Sequence, residues 1–348
     1  KMMLSRRHLL GASAVVAIGA GLSACGTKTA NSQAAAASKA TDKFPVNVAH
    51  VYGTTTIKAE PKRVVSISSG NEEAIIALGV VPVAMPANTW GGNKYKSLPW
   101  KDEALTKLGA APGSANYPKQ FTSTDSLPIQ EIAGYKPDLI VAALSGISKE
   151  EYDQLSKIAP TIAYSKTGGA WTTPWNEVTT MVGQALGRSA KAKEVVDAVN
   201  AQFAQVAKQH PKFKGATFIT GAIGSADHSI SLYMHGDNRS RFFQALGLVQ
   251  APVVAAIDAK SKTFYADYSA EQADKLVADV FHSWVDDEKA AAAIKADPLL
   301  SKIPAIANGS AILDYNKTDA MSISAFSALS ATYALKSYVP RVAKVLEK

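Results

Sequence analysis

The stretch from Ser189 to Gln209, SAKAKEVVDAVNAQFAQVAKQ, predicts one long amphipathic helix near the middle of the chain. Its apolar residues recur at helical spacing and would form a single face: Ala192, Val195, Val196, Val199, Phe203 and Val206. Ser189 is suited to cap the helix and Pro211 to end it. From Ala190 to Gln209 the helix would be about 30 Å long at 1.5 Å per residue. A helix of this length predicts a stiff connector between two parts of the molecule.

Short apolar runs alternate with helical patterns on both sides of this helix, which is typical of α/β domains with largely parallel sheets. The predicted strands are 64–67, 81–85, 139–142, 162–164, 217–220, 229–232, 277–282 and 311–313. Both halves share an order of landmarks, since Gly79 and Gly247 each close a helix and each is followed by a buried strand. We therefore predict an N-terminal α/β lobe at 44–170, connecting helices at 171–212 and a C-terminal α/β lobe at 213–348.

The start of the chain has the pattern of an export signal. Arg6 and Arg7 precede an uncharged apolar run at 11–22 that is too short to span a membrane. The SRRHLL context of 5–10 resembles a twin-arginine signal, and 22–25, LSAC, resembles a bacterial lipobox. Cys25 is the only cysteine of the chain. We expect a signal peptide at 1–24, lipidation of Cys25, a flexible tether at 25–43, and a protein anchored to the outer face of the cell membrane.

Composition and motifs favour a binding protein over an enzyme. The chain carries 37 Lys and Arg against 29 Asp and Glu, but has no dense basic run that would indicate nucleic-acid binding. No zinc-protease, phosphate-loop or nucleophile-elbow motif occurs, and the six histidines lack metal-ligand spacing. We predict no catalytic residue, no resident cofactor and no metal held directly by the protein.

Several segments, taken in order, resemble one family. They are 60–67 (EPKRVVSI), 77–83 (ALGVVPV), 128–133 (PIQEIA), 136–140 (KPDLI), 152–161 (YDQLSKIAPT), 183–188 (GQALGR) and 327–335 (SALSATYAL). Together they make 44–347 similar to the helical-backbone, class III, substrate-binding proteins of ABC importers, and most similar to the ferric-siderophore branch. The resemblance implies two Rossmann-like lobes joined by a single long rigid helix, with a ligand cleft between the lobes. It also implies a monomer that delivers a chelate carrying Fe3+ to a permease and its ATPase.

The candidate ligand-binding residues follow the predicted strands, because ligands of open α/β folds bind beyond the carboxyl ends of the strands. Arginine can donate to several chelate oxygens without losing its charge, and aromatic side chains can stack on flat ligands. The candidates are Trp90, Lys94, Ser145, Trp171, His235, Arg239, Arg241, Tyr265, Tyr268 and Trp284. For the two arginines, solvated side chains or a salt bridge to Asp237 is the alternative.

The resemblance also implies a docking mode in which one Glu on each lobe contacts permease arginines. The corresponding residues here are Gln130, with Glu131 beside it, and Gln244. Either a neighbouring acid such as Glu131 takes the role, or docking uses hydrogen bonds without charge.

Other functions remain open at the level of sequence. Haem or cobalamin could be the cargo of the same scaffold, and haem would need an axial ligand such as His235 or Tyr265. A surface lipoprotein without a permease is an alternative from another class. The chelate could be a catecholate, a hydroxamate or a mixed siderophore.

Overall fold

The computed structural model describes residues 38–123 and 126–348. The predicted signal peptide, Cys25 and the tether up to residue 37 lie outside the described residues. The part of the chain that the structure describes contains two β-sheets of the α/β type, as the sequence predicts, and a short N-terminal hairpin.

The first half contains the hairpin and a five-stranded parallel sheet. Strands β1 and β2 pair antiparallel, and the sheet has the order β5-β4-β3-β6-β7. The strands are β1 Val46–His50, β2 Gly53–Ile57, β3 Val64–Ser66, β4 Ala84–Pro86, β5 Lys119–Phe121, β6 Leu139–Val141 and β7 Thr161–Ile162. The helices are α1 Asn71–Ala77, α2 Pro99–Lys107, α3 Ile129–Gly134 and α4 Lys149–Ser156. Strands β3, β4 and β6 are buried at every residue, which explains their continuous apolar sequence.

Helices α5, Trp175–Ala185, and α6, Ser189–Gln209, follow the first sheet. Near its start α6 contributes Ala192 and Val195 to the core of the first half. Further along, Val199, Phe203 and Val206 belong to the core of the second half. One face of α6 therefore serves both hydrophobic cores.

The beginning of α6 differs from the sequence prediction. The residue that caps the helix is Arg188, and the Ser189 hydroxyl donates to Asp42 Oδ2 at 2.6 Å. Ser189 therefore fastens the segment before β1 to the helix, and its hydroxyl does not cap the backbone.

The second half is a mixed sheet with the order β11-β9-β8-β12-β13. Strand β9 runs antiparallel to β8 and β11, whereas β12 is parallel to β8 and β13, and short β10 is parallel to β8. The strands are β8 Thr217–Gly224, β9 Ser229–Tyr233, β10 Val249–Gln250, β11 Tyr265–Tyr268, β12 Val280–Trp284 and β13 Ile312–Asp314. The helices are α7 Asn238–Ala245, α8 Pro252–Asp258, α9 Glu288–Ala296, α10 Pro304–Ala307, α11 Lys317–Ser324 and α12 Ala331–Leu346.

Two predicted strands begin three residues later than expected, and five strands were missed. The run predicted at 81–85 forms β4 at Ala84–Pro86, and that at 277–282 forms β12 at Val280–Trp284. The missed strands are β1 and β2 of the hairpin, β5, β10 and β11. Strands β8 and β9 are longer than the strands predicted at 217–220 and 229–232. Most of the missed strands are short or Thr-rich. They are strands because they pair with neighbouring strands, and their own sequences do not indicate it.

Candidate ligand-binding site

A cavity of about 400 Å³ lies where the strands of the first sheet end, and we call it the main cavity for that reason. It is lined by residues from both halves of the chain. On the first-half side its residues follow β3, β4 and β5, so it lies at the carboxyl ends of parallel strands. On the second-half side its residues belong to the start of α7, to α11 and to the segment before β11. The lining includes Ser69, Thr89, Trp171, Arg239, Phe264 and Met321.

A second cavity, of about 430 Å³, adjoins the first. Both cavities are lined by Trp171 and Phe264. The second cavity also brings together His235, Arg241 and Tyr265, which the sequence predicted as ligand contacts. The predicted residues are thus divided between two neighbouring spaces, and Trp171 borders both.

Arg239 is a fixed cation in the wall of the main cavity. Its Nε and Nη2 atoms donate to the two carboxylate oxygens of Asp237, each at 2.7 Å, and its guanidinium lies 3.6 Å from the centre of the Tyr233 ring. Burial acts to lower the pKa of Arg239, but the charge and hydrogen bonds of Asp237 outweigh it and raise that pKa above its ordinary value. The salt bridge to Asp237 and a place in the cavity wall are therefore compatible.

Arg241 is held mainly by carbonyl groups. Its Nε donates to Gly236 O at 3.1 Å and its Nη2 to Thr172 O at 3.0 Å. Burial lowers the pKa of Arg241, with Glu177 and Asp237 opposing the change. Arg241 joins the segment after the first sheet to the second half, beside the second cavity.

Trp171 presents a large apolar surface to both cavities and is 45% exposed. Its φ of 65° is unusual for a bulky residue, and its amide donates to Ser145 O at 2.9 Å. The indole lies against Gly146, where a Cβ would be 2.2 Å from Trp171 Nε1. Only glycine allows this approach.

Ser145 supports this tryptophan through its main chain. The side chain is fully buried, and its hydroxyl donates to Ala142 O at 2.8 Å. The structure therefore does not bring the hydroxyl of Ser145 into either cavity, in contrast to the contact expected from sequence.

Trp90 and Trp284 contact each other across the two halves. Their ring centres are 5.5 Å apart at 76°, and Trp284 Nε1 donates to Tyr233 Oη at 3.1 Å. Neither residue lines the two cavities, although Thr89 beside Trp90 does. Lys94, in the same loop, is exposed and lies over the ring of Tyr95, so it is not brought to the site.

The two predicted tyrosines of β11 have different surroundings. Tyr265 is exposed and lines the second cavity, whereas Tyr268 packs against the core of the second half. Because they are three residues apart on a strand, their side chains lie on opposite faces. Only Tyr265 joins His235, whose Nδ1 lies 2.8 Å from Asp258 Oδ2.

The residues predicted to dock a permease lie on helices. Gln130 and Glu131 are exposed on α3, and Glu131 Oε1 accepts a hydrogen bond from Tyr135 Oη at 2.7 Å. Gln244, on α7, donates through Nε2 to His235 O at 3.1 Å. Their role in docking stays a prediction.

Sequence reasoning missed the part of the wall that α11 supplies. Met321, Ser324 and Ala325 line the main cavity, as does Phe264. Helix α11 directly follows β13. The expectation that ligands bind beyond the carboxyl ends of the strands would therefore have included its residues. No signal marked Phe264, which precedes a strand that the sequence did not predict.

The described residues contain neither a cluster of metal-ligating side chains nor a membrane-spanning helix. Among residues 38–123 and 126–348, no group of three or more His, Cys, Asp or Glu side chains is arranged to hold a metal ion. No helix within the same residues has the length and apolar character needed to cross a membrane.

Two α/β halves around a shared cavity, with one helix serving both cores, define the class of substrate-binding proteins. Residues 64–317 match the family described as periplasmic binding protein, and the chain belongs to this family. Membership confirms the resemblance seen in the sequence and the prediction of a binding protein that is not an enzyme.

Relatives were found by structure and by sequence. Streptococcus pneumoniae PiaA, solved in complex with ferrichrome, is 31% identical with a TM-score of 0.78, over 87% of this chain and 99% of that chain. The ferric enterobactin-binding periplasmic protein FepB of Escherichia coli is 25% identical over 280 residues, 76% of this chain and 82% of FepB. The probable siderophore-binding lipoprotein YfiY of Bacillus subtilis is 30% identical over 177 residues, and the match spans about half of each protein, 50% and 47%.

Proposed function

We propose that this protein captures a ferric siderophore in a cleft between two lobes and delivers it to the permease of an ABC importer. The observation that carries the proposal is the main cavity, where Arg239, held by Asp237, presents a fixed guanidinium group and Trp171 a flat apolar surface. A ferric siderophore is a large chelate, often anionic, with an apolar or aromatic rim, and this combination suits it. The ferrichrome bound to PiaA and the ferric enterobactin for which FepB is named support the same class of cargo.

The proposal includes the organisation predicted from the sequence. Residues 44–170 and 213–348 form Rossmann-like lobes, 171–212 connect them, and α6 acts as a rigid strut that limits closure. The packing of α6 against both hydrophobic cores supports this role. The ligand-contacting residues would be those of the two cavities: Trp171, His235, Arg239, Arg241 and Tyr265.

We further propose that the protein acts at the outer face of the cell membrane. A lipid on Cys25 would hold it there, and the tether would let it reach the permease. Gln130, Glu131 and Gln244 would form the docking surface. The words lipoprotein and periplasmic in the names of YfiY and FepB support an extracytoplasmic location.

The test is a titration of the purified protein that follows tryptophan fluorescence. The panel contains ferrichrome, ferric enterobactin, ferric citrate, haem and cobalamin. We expect quenching by at least one ferric chelate with a Kd at or below ~1 μM, which corresponds to ~8 kcal/mol. Absence of binding to every ferric chelate would refute the proposal.

Haem is a second candidate that one observation favours. His235 and Tyr265 border the same cavity, and Asp258 engages Nδ1 of His235, an arrangement that orients an imidazole to bind a metal through Nε2. If haem is the cargo, it should produce a Soret shift that His235→Ala or Tyr265→Phe abolishes. No change in haem absorbance on adding the protein would exclude this candidate.

A further inference from the structure

The first half contains an ion pair buried between α1 and α2. Glu72 and Lys101 are both fully buried, and Lys101 Nζ lies 2.9 Å from Glu72 Oε1. Removing two charges from water costs free energy that their attraction only partly returns, so such a pair is weak evidence for stability. Its position relative to the ligand cavity suggests another role.

The pair reaches two loops that line the main cavity. Lys101 Nζ also donates to Asn88 Oδ1 at 2.6 Å, and Asn88 Nδ2 donates to Ser69 Oγ at 3.3 Å. The other oxygen of Glu72 accepts from the amide of Gly70 at 3.0 Å. Thus one buried network holds the loop after β3 and the loop after β4.

Asn88 is the residue through which the network acts on the second of these loops. Its neighbours Ala87 and Thr89 both line the cavity, whereas Asn88 itself is buried and points away into the network. The turn is tight, because a Cβ on Gly92 would be 2.0 Å from the carbonyl oxygen of Asn88. A displaced Asn88 would therefore move the cavity wall.

The same loop makes contacts with the second half. Trp90 packs against Trp284, and Gly91 O accepts a hydrogen bond from Thr318 Oγ1 of α11 at 3.0 Å. The placement of Asn88 thereby affects both the first-half wall and its contact with the opposite half.

We infer that Asn88, held by the Lys101–Glu72 pair, is a positioning residue for ligand binding: it fixes the loop of residues 87–92 in the shape that the ligand requires. This inference rests on the proposed function for its ligand. The buried charges would then serve to preorganise the site, because the residues that support a binding site hold its ligand contacts in place.

The principal test is Asn88→Ala, which breaks the link to the loop but keeps the Lys101–Glu72 pair. We expect the Kd for the ferric chelate that the wild type binds best to rise about tenfold. The midpoint of thermal unfolding should fall by only a few degrees, because the buried Lys101 ammonium loses one acceptor but keeps Glu72. Asn116→Ala is the matched control, because Asn116 is an exposed asparagine of the same half whose side chain donates to Gly109 O at 3.3 Å, away from the buried network. It should bind as the wild type does.

A second variant removes the charges together. Lys101→Met alone would leave a buried carboxylate without its partner and is expected to damage the fold. Glu72→Gln combined with Lys101→Met avoids this, and it should reproduce the loss of affinity seen with Asn88→Ala. Adding Asn88→Ala to the pair should give little further loss, because all three residues act through one link.

A third measurement needs no ligand. In ligand-free protein, the indole N–H resonances of Trp90 and Trp284 should shift in Asn88→Ala and stay unchanged in Asn116→Ala. If the wild type binds no ferric chelate, the proposed function fails, and these resonances still decide whether Asn88 positions the loop. Unchanged resonances, or a Kd within twofold of the wild type in Asn88→Ala, would overturn the inference.

Discussion

Glu73 and Ser327 are 254 residues apart in the chain, yet the Ser327 hydroxyl donates a buried hydrogen bond to Glu73 Oε2. Glu73 lies in α1 of the first half, and Ser327 lies between α11 and α12 of the second half. The other carboxylate oxygen of Glu73 accepts from Trp100 Nε1 at 2.9 Å. A buried acid therefore joins the two halves at a point distant in sequence from α6.

The first prediction concerns the pH dependence of stability. Burial, followed by the charge of Glu72, raises the pKa of Glu73 from 4.5 to about 7. The folded state binds the proton of Glu73 more tightly than the unfolded state does, so protonation of Glu73 adds to the free energy of unfolding. This contribution is complete below pH 4.5 and is lost as the pH rises towards 7. We expect the free energy of unfolding to fall across this window.

Denaturant unfolding between pH 4.5 and 8 measures this contribution. Glu73→Gln keeps the shape of the side chain without the ionisable group, so its unfolding free energy should fall less over the window than that of the wild type. Glu103→Gln is the control, since Glu103 is an exposed member of a surface pair with Lys107. Equal slopes for the wild type and Glu73→Gln would contradict the prediction.

The second prediction concerns Arg239. Arg239→Met combined with Asp237→Asn, which avoids leaving a buried carboxylate unpaired, should weaken binding of an anionic ferric chelate roughly 30-fold, because a charge-assisted hydrogen bond is lost. Arg239→Lys should recover only part of the affinity, since an ammonium group cannot form the two-pronged contact with Asp237. Fluorescence titration gives the Kd of each variant, and circular dichroism checks that each remains folded.

Arg63→Met, which removes one positive charge from an exposed position, is the matched control for this substitution. Arg63 is an exposed arginine of the first half that donates to the carbonyls of Tyr135 and Lys136, and it lines neither cavity. It should leave chelate affinity unchanged. Equal effects at Arg63 and Arg239 would show that the loss does not reflect a contact in the cavity.

The third prediction uses the close approach of Gly146 and Trp171. In Gly146→Ala the new methyl group would overlap the indole, which must move, and overpacking of this kind costs about 1–3 kcal/mol. We expect chelate affinity to fall about tenfold and the fluorescence of Trp171 to change in the ligand-free protein.

Gly134→Ala is the control for this substitution, because a Cβ there meets no atom within 4 Å. Its affinity and fluorescence should match those of the wild type. If Gly146→Ala also behaves like the wild type, Trp171 is not a ligand contact.

The sequence predicts those features that depend on local periodicity. The apolar positions of α6 and the buried runs of β3 and β6 are visible in the chain, and the structure contains them. Tyr265 and Tyr268 could not be assigned correctly, because the strand that separates their faces exists only through pairing with β9. Site residues that follow predicted strands could be found, whereas the role of Phe264 could not.

The buried polar network around Glu72, Glu73 and Lys101 could not be predicted from the sequence. Glu72 and Glu73 look like ordinary acids of the first turn of a helix, and Lys101 looks like a surface residue of α2. Their burial follows from contacts with Asn88, Trp100 and Ser327, which only the folded chain brings together. Such pairs depend on long-range packing, and a single sequence carries no local sign of it.

The last prediction separates docking from capture. If Glu131 on the exposed face of α3 contacts permease arginines, Glu131→Lys replaces an attractive charge with a repulsive one at the interface. Growth on a ferric siderophore as the sole iron source should then fail, while the purified variant binds the chelate as tightly as the wild type. Glu194→Lys, at an exposed position of α6, is the control and should support growth. Normal growth of the Glu131→Lys strain would mean that docking does not depend on this charge, and would leave hydrogen bonds from Gln130 and Gln244 as the mode to test.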